Sequence, residues 1–167
     1  MTKPQLGFIG LGSMGKPMVL NLARAGYAVA VYDANAQAAA QLSSEHIRVM
    51  DTPAAVAEHA AIIITMLPTS AIVEEVLTGP EGVFAAMRPG TIIIEMSSGV
   101  PAKTKVLAAE AKKRDAQLVD APVSGGVTRA QTAELSIMYG GSDETLKHIE
   151  PILQAMGSSV ARTGDVG

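Results

Sequence analysis

One stretch near the start of the chain restricts the fold more than any other: Leu6-Gly7-Phe8-Ile9-Gly10-Leu11-Gly12-Ser13-Met14-Gly15. An apolar run ends at Gly10, glycines recur at G-x-G-x-x-G spacing, and a helical pattern begins at once. The spacing assigns each glycine a physical task. Gly10 lets the chain turn sharply out of a strand, Gly12 lets the backbone approach a diphosphate, and Gly15 lets the new helix pack close to the strand. Free N–H groups and the positive dipole end of that helix then face the phosphates.

A second apolar run, Ala28-Val29-Ala30-Val31-Tyr32, ends in Asp33, at the distance from the glycines where this motif expects an acid. A carboxylate there accepts from both ribose hydroxyls and repels a 2′-phosphate, so the expected cofactor is NAD, with NADP disfavoured. The competing reading of Asp33 is a cap on the helix that starts near Ala34. Gly10 to Lys16 also fits the start of a P-loop, but Pro17 stands where that motif needs a hydroxyl for Mg²⁺. Pro17 suits the first turn of a helix instead. The glycine turn by itself excludes neither a methyl-donor site nor a flavin site.

The 167 residues amount to one domain, or one domain and part of another. Hydrophobic residues make up 48% and aromatics 3%, so the core must be aliphatic, with Met as filler. The net charge of −3 offers no footprint for nucleic acid or an anionic membrane. With no Cys there is no disulfide, thiolate nucleophile or Cys-ligated zinc. His46, His59 and His148 have no ligand or triad spacing, and no metal site is expected. Glu74-Glu75, Glu95 and Glu110 read as solvated or helix-face charge. The first strand begins within six residues of the start, leaving no room for a signal peptide, and no apolar run approaches a bilayer span. A soluble cytoplasmic protein is the expectation.

Strands and helices alternate along the chain. Strands are expected at Gly7–Gly10, Ala28–Asp33, Ile47–Met50, Ala61–Met66, Thr91–Met96 and Gln117–Asp120. Helices are expected from Met14 to Ala25 with Gly26 as a stop, from Ala34 to about Ser43, from Pro53 to His59, from a Ser70 cap to Leu77, at Val83–Met87, and from Pro101 to about Arg114. A further strand at Leu135–Tyr139 breaks the alternation, since no helix of usual length fits before it. Asp143 to Met156 reads as a helix with Leu146, Ile149, Leu153 and Met156 on one face, and Val160 as part of a last short strand. Continuous apolar strands between helices imply a doubly wound α/β fold with a mostly parallel, Rossmann-type sheet. Right-handed crossovers should bring Gly10–Gly15, Met66–Ser70 and Met96–Gly99 to one crevice at the carboxyl ends of the strands.

The loop Asp120-Ala121-Pro122-Val123-Ser124-Gly125-Gly126 offers a hydroxyl and close backbone donors, suited to a small anion; an ordinary glycine turn is the alternative. Together, Gly7 to Met18, Met66-Leu67-Pro68 and Asp120 to Gly126 resemble the 3-hydroxyacid (β-hydroxyacid) dehydrogenase family, which includes 3-hydroxyisobutyrate dehydrogenases and tartronate semialdehyde reductases. The resemblance spans the whole chain in order. It implies that Gly10, Leu11, Gly12, Ser13, Met14, Gly15, Asp33 and Met66 contact the cofactor, and that Leu67 and Pro68 line its adenosine side. It further implies Ser97 near the nicotinamide ribose and Ser124, Gly125 and Gly126 on the substrate carboxylate.

Two departures stand out. The family usually has glycine at or near Arg129 and Ala133; Arg129 reads either as an exposed side chain or as a contact for a second anionic group. By the resemblance, the family's general acid/base lysine, on a helix after the stretch resembling Gly164 to Gly167, is expected to match no lysine of these residues, and its all-helical second domain is expected to lie outside them. Residues 1–167 therefore read as an NAD(P)-binding domain that binds cofactor without turnover, from a parent that is a dimer or tetramer. A non-catalytic nucleotide-binding module and an imine-reductase-like relative are the alternatives.

Overall fold

The computed structural model describes residues 3–167. Six parallel strands form the centre of one sheet: β1 (Leu6–Ile9), β2 (Val29–Tyr32), β3 (Ile47–Val49), β4 (Ile62–Thr65), β5 (Ile92–Glu95) and β6 (Gln117–Asp120). Their spatial order is β3-β2-β1-β4-β5-β6. The order reverses between β1 and β4, which opens the crevice where such sheets receive ligands. The remaining strands are β7 (Val123–Ser124), β8 (Leu135–Gly140) and β9 (Gly157–Gly164). β8 runs antiparallel to β6 and β7, and β9 lies parallel to β8.

The helices are α1 (Gly15–Arg24), α2 (Ala36–Ala40), α3 (Pro53–His59), α4 (Ser70–Thr78), α5 (Val83–Ala86), α6 (Pro101–Lys112), α7 (Gly126–Gln131) and α8 (Asp143–Gln154). Two cores flank the sheet, because successive strand side chains point to opposite faces. Ile62, Ile64 and Ile94 join Met18 and Leu22 of α1 and Ile149 of α8 on one face. Ile63 and Ile93 join Val56 of α3, Val73 and Leu77 of α4 and Leu107 of α6 on the other. The unbroken isoleucine runs of β4 and β5 therefore record burial on both faces. Among the described residues no helix is long and apolar enough to cross a membrane.

Several boundaries differ from the expectation for identifiable reasons. Thr69, not Ser70, caps α4: its hydroxyl accepts from the Ile72 N–H at 3.2 Å. The Ser70 hydroxyl instead accepts from the Val100 N–H at 2.8 Å, tying α4 to the start of α6. Asn35, not Asp33, caps α2, accepting from the N–H groups of Gln37 and Ala38. β7 and α7 were not expected; a two-residue strand and a six-residue helix are too short for periodicity to register. The last strand has eight residues rather than a short run about Val160, because pairing with β8 extends it.

The turn from α7 into β8 places Ala133 at φ +59°, in the left-handed region. An L side chain there costs about 1–2 kcal/mol, partly offset by the lower unfolded-state entropy of Ala relative to Gly. Ala133→Gly is expected to stabilise the fold by about 0.5–1 kcal/mol, read as a higher urea midpoint at unchanged slope.

Candidate functional site

The glycine loop is built by close contacts that side chains would forbid. Gly10 has φ +109°, and a Cβ there would strike the Met66 carbonyl at the end of β4. A Cβ on Gly15 would strike the Gly10 carbonyl and stand 3.2 Å from the Phe8 ring. Gly12 is different: a Cβ there would meet nothing within 4 Å. Packing accounts for Gly10 and Gly15, whereas Gly12 keeps an exposed stretch of backbone bare toward open space. That is the arrangement a closely approaching diphosphate requires, so the residues present fit a dinucleotide.

Asp33 is turned into the crevice. Its Oδ2 accepts from the Leu11 N–H at 2.7 Å and its Oδ1 from the Asn35 N–H at 2.7 Å. A carboxylate has about four acceptor positions, so two remain for further donors. Leu11 is buried in the core and its amide is what orients the acid. A cavity of about 510 Å³ lies beside this pair, lined by Gly10, Asp33, Leu67 and Pro68. Ile72 and Val76 of α4, which belong to no recognisable motif, also line it. Their signal is spacing: they stand four apart, beside the core-facing Val73 and Leu77.

The other residues take separate places. Met14 and Met66 are half-buried against the core. Ser13 faces a second groove, of about 540 Å³, shared with Lys16 of α1 and with Val127 and Gln131 of α7. α7 is held to α1 by the Asn21 side-chain amide, which donates to the Ala130 carbonyl at 2.7 Å. The loop Ser124, Gly125 and Gly126 thus sits on the glycine-loop side of the sheet, outside the first cavity, with all three residues exposed. Gly125 has φ +133°, and a Cβ there would stand 2.8 Å from Cδ of Arg129. The Arg129 stem therefore lies across this loop. Arg129 is exposed and has no carboxylate partner among the described residues.

Ser97 is 3% exposed, and its hydroxyl accepts from the Leu67 N–H at 2.8 Å. Beside it, Glu95 corrects the expectation of a solvated charge: it is 3% exposed at the end of β5. The alternation of strand side chains gives no warning, because both faces of this strand are covered. Burial pushes the Glu95 carboxyl above its ordinary range; hydrogen bonds from Ser97 and Thr65 oppose the shift and the neighbouring Asp120 charge adds to it. Among the described residues no cluster of His, Cys, Asp or Glu could hold a metal ion.

Residues 5–164 match the family described as the NAD binding domain of 6-phosphogluconate dehydrogenase. The chain belongs to that family. Within it, the chain is 41% identical over 166 residues to the mitochondrial 3-hydroxyisobutyrate dehydrogenase of Homo sapiens, covering 99% of this chain and 49% of that protein. It is 39% identical to the 2-(hydroxymethyl)glutarate dehydrogenase of Eubacterium barkeri, covering 98% of this chain and 54% of that one. The solved structure of Mycobacterium tuberculosis 3-hydroxyisobutyrate dehydrogenase with L-serine superposes with a TM-score of 0.93 at 34% identity, over 99% of this chain and 56% of that chain. The chain thus spans about half the length of the curated relatives it matches.

A carboxyl whose pKa is raised on folding contributes stability that is complete below the ordinary glutamate range and is lost as pH rises through the folded value. Unfolding free energy should therefore fall with rising pH across that window. Glu95→Gln, which keeps an acceptor without the charge, should flatten the fall; urea titrations at stepped pH and fixed salt measure it.

Proposed function

We propose that this chain is the cofactor-binding part of an NAD-dependent oxidoreductase that interconverts a small 3-hydroxy carboxylic acid and its aldehyde or keto form. The observation that carries the reading is Gly12: an exposed backbone kept bare where no protein atom approaches, beside an acid oriented by the same loop. When bound, NAD supplies the acceptor for the substrate's hydride. The chain's own residues bind and orient. The unused acceptor positions of Asp33 receive ribose hydroxyls, and its charge repels a 2′-phosphate, which favours NAD over NADP. Leu67 and Pro68, with Gly10 and Asp33 in the wall of the first cavity, take the adenosine side. Gly12, Ser13, Met14 and the start of α1 face the phosphates.

Ser124, Gly125 and Gly126 hold the substrate carboxylate; their exposure on the glycine-loop side supports this role. The substrate class rests on the relatives. One is a dehydrogenase of 3-hydroxyisobutyrate, and a solved relative holds L-serine, which also carries a hydroxyl two bonds from its carboxyl-bearing carbon. Proton transfer needs a base near the carbinol. Lys103, Lys105 and Lys112 stand on α6, Lys113 caps it, Lys147 lies on α8, Lys16 is in the first turn of α1 and Lys3 precedes β1. None is in the Ser124–Gly126 loop or in α7. We therefore infer that these 167 residues bind cofactor and turn over nothing alone, and that the lysine and the dimer or tetramer contacts belong to a partner domain of the parent enzyme.

Parallel fluorescence titrations with NADH and NADPH test the reading. NADH should bind, and more tightly than NADPH; tighter NADPH binding refutes the Asp33 argument, and binding of neither refutes the cofactor assignment. Gly12→Ala should weaken NADH binding by about tenfold while leaving the urea midpoint nearly unchanged. Gly15→Ala should instead lower stability by more than about 2 kcal/mol, since the helix must shift off the strand.

A further inference from the structure

The carboxyl ends of β4 and β5 are joined by a closed ring of hydrogen bonds. The Thr65 hydroxyl donates to Glu95 Oε1 at 3.1 Å, and the Ser97 N–H donates to the same oxygen at 2.9 Å. The Ser97 hydroxyl accepts from the Leu67 N–H at 2.8 Å, which returns the ring to β4. The Met96 N–H donates to the Thr65 carbonyl at 2.9 Å and crosses its middle. Thr65, Glu95 and Ser97 are all buried.

A buried carboxylate is costly, and pure packing does not ask for one here. Ile64 and Ile94, one residue earlier on the same strands, cover the sheet at no such cost. The carboxylate stands where the two strands leave the sheet, and Leu67 and Pro68, one and two residues beyond Met66, form part of the wall of the first cavity. Without Oε1, the Thr65 hydroxyl and Ser97 N–H lose their buried acceptor, Ser97 loses its anchor, and the Leu67 amide is released. The Leu67–Pro68 stretch then keeps the Met96–Thr65 and Val100–Ser70 bonds to the β5 side and loses the side-chain brace that fixes it against Ser97.

We propose that Glu95 is a positioning residue for the dinucleotide, holding the Leu67–Pro68 wall in register with Ser97 through a single carboxylate oxygen. It touches no ligand and acts through Ser97 and Leu67. The proposal rests on the cofactor reading given above, in which that wall receives the adenosine. It assigns the cost of the buried carboxylate to binding geometry and not to stability. Charge is not what the ring uses: an amide oxygen at the same place serves as acceptor for both donors.

NADH fluorescence titrations of the whole chain, run at low temperature beside far-UV circular dichroism and thermal melts, test it. Glu95→Gln should bind NADH within about twofold of wild type, and Glu95→Ala should bind roughly tenfold more weakly although folded, since the cavity wall is no longer held. A merely structural carboxylate would lower the melting temperature in Glu95→Ala and leave the Kd of the folded protein unchanged. That result overturns the proposal, as does a Glu95→Gln variant that binds as poorly as Glu95→Ala. Should Glu95→Ala not fold, Thr65→Val removes one donor to the Glu95 oxygen and should raise the Kd by about threefold or more; an unchanged Kd in folded Thr65→Val overturns the proposal. If wild type does not bind NADH, the cofactor reading falls and this inference with it. Wild-type binding with an unaffected Glu95→Ala defeats this inference alone.

Discussion

The first turn of α1 lies so close to the end of β1 that a single methyl group at Gly15 would collide with the Gly10 carbonyl. The rest of the crevice depends on that approach. It seats Met18 and Leu22 of α1 on the same face as Phe8 and Ile64, and so fixes the helix over the parallel sheet. It also sets the open N-terminal turn of the helix, and the bare backbone at Gly12, beyond the carboxyl end of β1, where the strand order reverses toward β4. A parallel sheet buried on both faces can present polar backbone only at its strand ends, and here those ends are gathered at one reversal of strand order.

Polar side chains at these ends serve each other before they serve a ligand. Asp33 couples the end of β2 to the glycine loop through the Leu11 amide, and Glu95 couples the end of β5 to that of β4. Both acids accept backbone N–H groups, so each orders a loop that would otherwise be free to move. The two differ in environment: Asp33 is half-exposed in the cavity, whereas Glu95 is enclosed and its carboxyl is pushed upward by burial. One acid is open to a ligand and the other is built into the frame.

Much of this was legible from residue order. The strands of the parallel core, the helix from Pro53 to His59 and the meeting of the glycine loop with Asp33 and Leu67 follow from apolar runs, proline starts and glycine spacing. The short β7 and α7, the cap at Thr69 and the fate of Ser70 were not legible. A threonine and a serine in adjacent positions are chemically equal as caps, and only the approach of Val100 to Ser70 distinguishes them. Glu95 was misread for the same kind of reason: a glutamate ending an isoleucine run looks like the return to solvent, unless the neighbouring strand end is known to supply donors.

The amino-acid sequence by itself determined the parallel strands, the longer helices, their alternation and the family, because propensity, period and glycine spacing act between residues near in the chain. Tertiary structure alone decided which polar groups are buried and what they hold. Thr65 and Glu95 are separated by 30 residues along the chain, as are Leu67 and Ser97, yet parallel pairing of β4 with β5 places them side by side. Each strand's apolar pattern says which of its residues must be buried, but which residue of a distant strand stands opposite is fixed only when both strands pack into one sheet.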